Sequence, residues 1–84
     1  MKIIIIEDEK PSARRLQRML NKMGIEVETI LNSVNASIHW LLRNPHPDLI
    51  FLDIQLSDGL SFEIFEEVKL ESAIIFTTAY DQYA

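Results

Sequence analysis

The stretch PDLIFLDIQLSDG, Pro47–Gly59, joins an uninterrupted apolar run to an aspartate. Leu49–Leu52 is short, apolar and bounded by turn residues, a pattern typical of a strand that is buried on both faces of a sheet. Asp53 follows this run at once, and a turn that ends at Gly59 comes next. Asp53 therefore either marks the point where the chain re-enters water or is a carboxylate that the fold presents at the end of a buried strand.

The segments around this stretch alternate between strand and helix patterns. After Pro11, apolar residues recur at three- and four-residue steps until Gly24, as in an amphipathic helix with a glycine stop. The predicted strands are Lys2–Ile6, Ile25–Leu31, Leu49–Leu52 and Ala73–Thr77, and the predicted helices are Pro11–Met23, Val34–Leu42 and Leu60–Val68. Strands that alternate with helices in this way form parallel β-α-β units. The sequence therefore predicts a doubly wound α/β domain.

Polar residues stand at the ends of three predicted strands. Glu7 and Asp8 follow the first strand, Asp53 follows the third, and Thr77 and Thr78 end the fourth. Sites in open α/β sheets form beyond the carboxyl ends of the strands, where the strand order reverses. A flavodoxin-like parallel sheet with the strand order 2-1-3-4 would bring the three carboxylates together beside a hydroxyl group.

Crowded carboxylates raise one another's pKa unless a cation offsets their charge. A hard divalent ion suits them best, and Mg²⁺ is the predicted ion because it accepts one or two carboxylates and keeps water ligands. The alternative is that each acid only solvates the exit of a strand. That interpretation is the better one for Glu7 or for Asp58 taken singly.

Composition limits the classes of function. The 84 residues suffice for one domain, include no cysteine for a disulfide or a thiolate metal site, and carry a net charge of −5. This charge argues against direct binding of nucleic acid, which needs a basic face. The apolar run near the N-terminus is too short for a signal peptide or a membrane span, so we expect a cytoplasmic protein with no membrane partner. The clustered cations are interpreted as a solvated helix face: Arg14, Arg15, Arg18 and Lys22.

The chain resembles, over its entire length, the receiver domain of bacterial two-component response regulators, through the segments IIIIEDEKPSARRLQRML, PDLIFLDIQLSDGL and IIFTTAY. The resemblance implies that Asp53 accepts a phosphoryl group and that the hydroxyl of Thr78 contacts it. It further implies a Mg²⁺ site at the acidic pair, in which Asp8 is a direct ligand and Glu7 acts through a water. Asp53 and the backbone carbonyl of Gln55 complete the implied metal ligands.

The same resemblance implies a signalling function. A sensor histidine kinase would donate the phosphoryl group to Asp53, and the phosphorylated domain would switch an output domain. The tail TTAYDQYA, residues 77–84, resembles regulators with a LytTR-type DNA-binding domain, so DNA is expected as a partner only through a missing output domain. The family also needs a lysine after a fifth strand, followed by a fifth helix. Residues 1–84 are therefore expected to form a receiver domain that is incomplete at its C-terminus.

Two other functions remain open. A phosphatase of the haloacid dehalogenase type also has a nucleophilic aspartate after an apolar strand, but it needs a second aspartate where this chain has Gln55. Glutamine cannot donate a proton as a general acid, so we do not expect an enzyme. The stronger alternative is a receiver-like interaction module that phosphorylation does not switch.

The fourth predicted strand, Ala73–Thr77, is apolar, β-branched and uncharged. Without a fifth strand beside it, it would form the edge of the sheet, and an edge of that kind is a template for pairing with another chain. The 84-residue chain is therefore expected to dimerise, exchange elements with a partner or aggregate.

Overall fold

The structure, a computed structural model, describes residues 1–77. Within that range the elements are β1 (Ile3–Ile6), α1 (Lys10–Lys22), β2 (Val27–Leu31), α2 (Val34–Arg43), β3 (Leu49–Leu52), β4 (Gln55–Leu56), β5 (Gly59–Leu60), α3 (Phe62–Glu67) and β6 (Ala73–Phe76). The predicted alternation of strands and helices is confirmed, and only β4 and β5 are additional. Among the described residues, no helix has both the length and the apolar character needed to cross a bilayer.

Four strands form one parallel sheet in the order β2-β1-β3-β6. β1 pairs with β2 on one side and β3 on the other, and β6 pairs with β3. This is the predicted order 2-1-3-4, because β6 is the fourth strand that the sequence predicts. The strand order reverses between β1 and β3, which is where sites form in sheets of this type.

β1 lies at the centre of the core. Its four isoleucines are each 2% exposed or less, as expected for β-branched residues in a strand that is covered on both faces. Side chains alternate along a strand, so Ile4 and Ile6 pack toward α2 and α3. Ile5 packs on the opposite face, against Ala13 and Leu20 of α1. The strand that carries Glu7 and Asp8 is therefore held from both sides.

α1 ends in a Schellman arrangement of hydrogen bonds. The N–H of Ile25 donates to the carbonyl of Leu20 at 2.9 Å, and the N–H of Gly24 donates to the carbonyl of Asn21 at 3.0 Å. Gly24 has a φ of 79°, a left-handed conformation that glycine adopts without steric cost. The predicted helix stop at Gly24 is confirmed.

Three apolar residues in or next to the helices are exposed, although an amphipathic pattern would bury them. The exposed fractions are 56% for Met19, 72% for Met23 and 65% for Leu42. Met23 lies past the last helical residue, where the helical period no longer sets its direction. Leu41 faces the core and is 2% exposed. Leu42 follows it on the helix, rotated by about 100°, and therefore points away from the core.

The segment predicted as a turn after Asp53 is a short hairpin. β4 and β5 are antiparallel and pair Gln55 with Leu60 and Leu56 with Gly59. Gly59 has a φ of 149°, and a Cβ at this position would collide with the carboxylate of Glu63. Two-residue strands have no alternation that a sequence pattern could reveal.

Candidate metal and phosphoryl site

β1, β3 and β6 end in register at one rim of the sheet. Ile6 pairs with Leu52, and Leu52 pairs with Phe76. The ladder continues one residue further, because the N–H of Asp53 donates to the carbonyl of Ile6 at 3.0 Å. The N–H of Thr77 likewise donates to the carbonyl of Leu52 at 3.0 Å. The backbone at both strand ends is therefore fixed by sheet hydrogen bonds rather than left to a loop.

Three carboxylates meet at this rim. One carboxylate oxygen from each of Glu7, Asp8 and Asp53 lies within 4.8 Å of the corresponding oxygens of the other two. All three residues are half-buried. Oxygen donors at this spacing fit a hard divalent cation such as Mg²⁺. The side chains that the sequence predicts to converge are thus close together, whereas their roles as ligand and phosphoacceptor stay predictions.

Burial raises the pKa of the Glu7 carboxyl from 4.5 to about 7. The N–H of Glu9, 3.1 Å from Oε2 of Glu7, works against this rise. A hydrogen bond to Asp53, the negative charge of Asp53 and a hydrogen bond to Asp8 add to it. Without a cation, the site therefore relieves the repulsion among its acids by keeping a proton on Glu7 near neutral pH.

An open cleft lies over the three carboxylates, between α1 and the segment that follows β3. Gln55, a predicted site residue, also lines it, and so does Thr77, which precedes the predicted Thr78. The described residues that line the cleft are Glu7, Asp8, Glu9, Ser12, Ala13, Arg15, Leu16, Met19, Asp53, Gln55, Leu56, Ser57 and Thr77. The acids thus face a cleft that is open to solvent.

Arg15 is the one basic residue among the described residues that line the cleft. It is exposed, as the sequence predicts for the cations of α1, but its position beside the acids is not among the sequence-based predictions. Helical spacing is the signal that could have found it. Ser12, Arg15 and Met19 are separated by three and four residues, which puts them on one face of α1, and all three line the cleft.

Four of the five predicted site residues lie in the described part of the chain and border one cleft. Gln55, which is exposed, comes two residues after Asp53. Thr78 lies outside the described residues, so its contact with the phosphoryl group stays a prediction. Its neighbour Thr77 lines the cleft.

Relatives of known sequence align along the whole chain. Sensory transduction protein LytT from Bacillus anthracis is 40% identical over 89 residues, which cover 100% of this chain and 35% of LytT. Transcriptional regulatory protein LytR from Staphylococcus aureus strain N315 is 39% identical over 88 residues, again 100% of this chain and 35% of LytR. The chain spans about a third of the length of these curated relatives.

Solved structures and family profiles agree with these relatives. The N-terminal domain of a response regulator/sensory box/GGDEF 3-domain protein from Carboxydothermus hydrogenoformans is similar in structure, with a TM-score of 0.85 and 31% identity. The similarity covers 96% of this chain and 66% of that chain. The profile of the response regulator receiver domain matches residues 3–84. The strand order, the acidic rim and these similarities together show that the chain belongs to the response regulator receiver domain family.

Proposed function

We propose that this chain is the phosphoacceptor part of a two-component regulator and that Asp53 accepts the phosphoryl group. The observation that carries the proposal is the convergence of Glu7, Asp8 and Asp53 within 4.8 Å at the ends of two central strands. Regular elements hold a reacting group more firmly than loops do. Membership of the receiver family supports the same role.

Asp53 supplies the nucleophile. One oxygen of its carboxylate forms a bond to phosphorus while the bond from phosphorus to the donor breaks, and the leaving atom keeps the electron pair. The donor in the proposed reaction is the phosphorylated imidazole of a sensor histidine kinase. The hydrogen bond from the N–H of Asp53 to the carbonyl of Ile6, 3.0 Å long, fixes the backbone of the nucleophile at the end of β3.

The acidic rim would hold Mg²⁺, which when bound would offset the negative charge of the carboxylates and the phosphoryl group. Asp8 and Asp53 would be direct ligands together with the backbone carbonyl of Gln55. Glu7 would act through a water because its side chain is one methylene longer than that of aspartate. Thr78 would contact the phosphoryl group through its hydroxyl.

The proposed partners are a sensor histidine kinase in the cytoplasm and, through an output domain, DNA. The relatives are named a sensory transduction protein and a transcriptional regulatory protein, and these names support a role in signalling to transcription. The chain would be modified once at Asp53 rather than turn over a substrate as an enzyme does. The assignment of residues 1–84 to an incomplete receiver domain stays a prediction. The protein that carries residues 1–84 is called the regulator.

A small acyl phosphate tests the proposed function without a kinase. Incubated with the regulator and Mg²⁺, it should add the mass of one phosphoryl group, and hydroxylamine should remove that mass because it attacks acyl phosphates. Chelation of the metal should prevent the addition. A folded regulator that binds Mg²⁺ and gains no mass would contradict the proposal and favour an interaction module that phosphorylation does not switch.

The free energy of unfolding of the metal-free regulator should contain a component that falls as the pH rises from 4.5 to about 7. In this window the folded state keeps a proton on Glu7 that the unfolded state has released, so raising the pH favours unfolding. Added Mg²⁺ should reverse the loss, because it binds the deprotonated carboxylates of the folded state. Urea unfolding at a series of pH values, with and without Mg²⁺, measures both effects.

Glu7→Gln is the control for this pH dependence. The amide does not titrate, so the component should disappear while the remaining pH dependence is unchanged. An identical pH dependence in the variant would show that Glu7 is not its source.

The 84-residue polypeptide should self-associate through β6. Among the described residues, β6 has a strand on one side only. Ile75 and Phe76 of this strand are 47% and 46% exposed, and the ring of Phe76 lies 6.0 Å from that of exposed Phe62. Apolar edge strands pair with other chains. Light scattering over a series of concentrations should show a mass above that of the monomer.

Ile75→Lys is the matched variant for the association test. Its side chain is already half exposed, and a lysine on an edge strand opposes pairing by charge repulsion. The variant should remain folded and become monomeric. If the unmodified polypeptide is a monodisperse monomer with a cooperative melt, the prediction is wrong.

A further inference from the structure

Asp58, at the tip of the β4–β5 hairpin, contacts the N-terminus of a distant helix. Its Oδ1 accepts a hydrogen bond from the N–H of Val34 at 2.7 Å, and its Oδ2 accepts one from the N–H of Asn35 at 3.0 Å. Both donors belong to the first turn of α2, where N–H groups have no partner within the helix. The sequence interpretation of Asp58 as an acid that only solvates a strand exit therefore misses a tertiary contact.

Ser33 and Asp58 cap the N-terminus of α2 together, because they accept hydrogen bonds from different N–H groups. Ser33, the residue before the helix, accepts from the N–H of Ala36 at 3.0 Å through its side chain. Asp58 takes the two N–H groups that Ser33 does not reach. Its negative charge also lies at the positive end of the helix dipole. The N–H groups of Asn35 and Val34 accordingly lower the pKa of the Asp58 carboxyl, which stays ionised at neutral pH.

The hairpin depends on such anchors because it is too small to hold itself. Only two residue pairs form between β4 and β5, and isolated hairpins even longer than this are marginal in water. At its base the N–H of Ser61 donates to the carbonyl of Ile54 at 2.8 Å. In its middle the side chain of Leu56 is 4% exposed and packs in the core. Asp58 anchors the tip, and the carboxylate of Glu63 holds β5 by accepting a hydrogen bond from the N–H of Leu60 at 3.0 Å.

We propose that Asp58 is a positioning residue for the metal site, because its carboxylate fixes the hairpin that carries Gln55 against the N-terminus of α2. This inference rests on the proposed function, in which the backbone carbonyl of Gln55 is a metal ligand. Gln55 lies between Asp53 and the hairpin tip and lines the cleft. A hairpin released at its tip leaves that carbonyl free to sample other directions, so the metal site loses the preorganisation of one ligand.

Asp58→Ala and Asp48→Ala form the matched pair that tests the proposal. Asp48 also accepts a hydrogen bond from a backbone N–H, that of Lys2 at 2.7 Å, but it precedes β3 and so lies at the opposite rim of the sheet. In the regulator, Asp58→Ala should weaken Mg²⁺ binding about tenfold, the loss typical of residues that orient metal ligands. Asp48→Ala should leave the Mg²⁺ affinity unchanged, although each variant lowers the melting temperature. Isothermal titration with MgCl₂ and thermal unfolding provide the two readouts.

Asp58→Asn is a milder variant that should have an intermediate Mg²⁺ affinity. It also keeps the proposal testable if Asp58→Ala does not fold. The amide keeps one oxygen acceptor and loses the charge, so its Mg²⁺ affinity should lie between those of the unmodified regulator and Asp58→Ala. At saturating Mg²⁺ the labelling by an acyl phosphate should return to the unmodified extent in both variants. Mg²⁺ affinity equal to that of the unmodified regulator in a folded Asp58 variant would overturn the proposal, and a lowered melting temperature alone would then mark Asp58 as a helix cap.

Mg²⁺ binding and labelling of the unmodified regulator distinguish a failure of this inference from a failure of the proposed function. If the unmodified regulator binds no Mg²⁺, the proposed function fails, and the role of Asp58 fails with it. If it binds Mg²⁺ and is labelled while the Asp58 variants bind equally well, only the positioning role is wrong.

Discussion

Asp53→Asn should abolish phosphoryl labelling of the regulator. Asparagine has nearly the shape of aspartate, so the sheet hydrogen bond from residue 53 to the carbonyl of Ile6 and the fold should persist. Its neutral amide is a poor nucleophile toward phosphorus, and no other described carboxylate lies at the end of β3. Intact-mass spectrometry with an acyl phosphate and Mg²⁺ should show no added mass.

Asp48→Asn is the control for that experiment. It makes the same chemical change four residues before the apolar strand ends, at the opposite rim, and should be labelled like the unmodified regulator. Undiminished labelling of Asp53→Asn would remove Asp53 from the role of phosphoacceptor.

Asp8→Ala should weaken Mg²⁺ binding far more than Glu7→Gln. The proposed site loses a direct ligand in the first variant and a water-mediated contact in the second. Outer contacts of metal sites are typically worth about 10–100-fold in affinity, so we expect about tenfold for Glu7→Gln and more than about 100-fold for Asp8→Ala. Isothermal titration at a pH above the raised pKa of Glu7 avoids a proton release that would reduce the apparent affinity.

Glu26→Gln is the control for nonspecific loss of negative charge. Glu26 is exposed and precedes β2, at the amino end of the sheet. The Glu26→Gln variant should bind Mg²⁺ as the unmodified regulator does. Equal losses in Asp8→Ala and Glu7→Gln would contradict the division of roles between a direct and a water-mediated ligand.

The sheet could be predicted from the sequence because its strands carry strong local signals. The β-branched run of β1 is buried on both faces, whereas the apolar run of β3 is buried at Ile50 and Leu52 and only half-buried at Leu49 and Phe51. The bounds of both strands are recovered to within one residue. The β4–β5 hairpin could not be predicted, since a pair of two-residue strands has no periodicity. Its stability comes from Leu56 in the core and from the tertiary contact of Asp58.

The acidic rim could also be predicted, because topology alone places strand ends together. Once β1 and β3 are neighbours, Glu7, Asp8 and Asp53 must share one edge of the sheet. Helical spacing puts Arg15 on one face of α1 with Ser12 and Met19, but the packing of α1 on the sheet decides that this face borders the acids.

The two caps of α2 also differ in whether the sequence can predict them. Ser33 can be assigned from the sequence because an N-cap acts on a residue three positions ahead. Asp58 acts on N–H groups more than 20 residues away in the chain. No local signal reports a partner at that separation, so its role is visible only in the folded molecule.

Identification of the residue that carries the phosphoryl group tests the proposed role of Asp53 most directly. The regulator is labelled with an acyl phosphate and Mg²⁺, reduced with borohydride to convert an aspartyl phosphate into homoserine, and digested for peptide sequencing by mass spectrometry. We expect homoserine at position 53, only in the sample that contained Mg²⁺. Homoserine at another position, or a phosphoryl group on a hydroxyl or histidine side chain, would contradict the proposed role of Asp53.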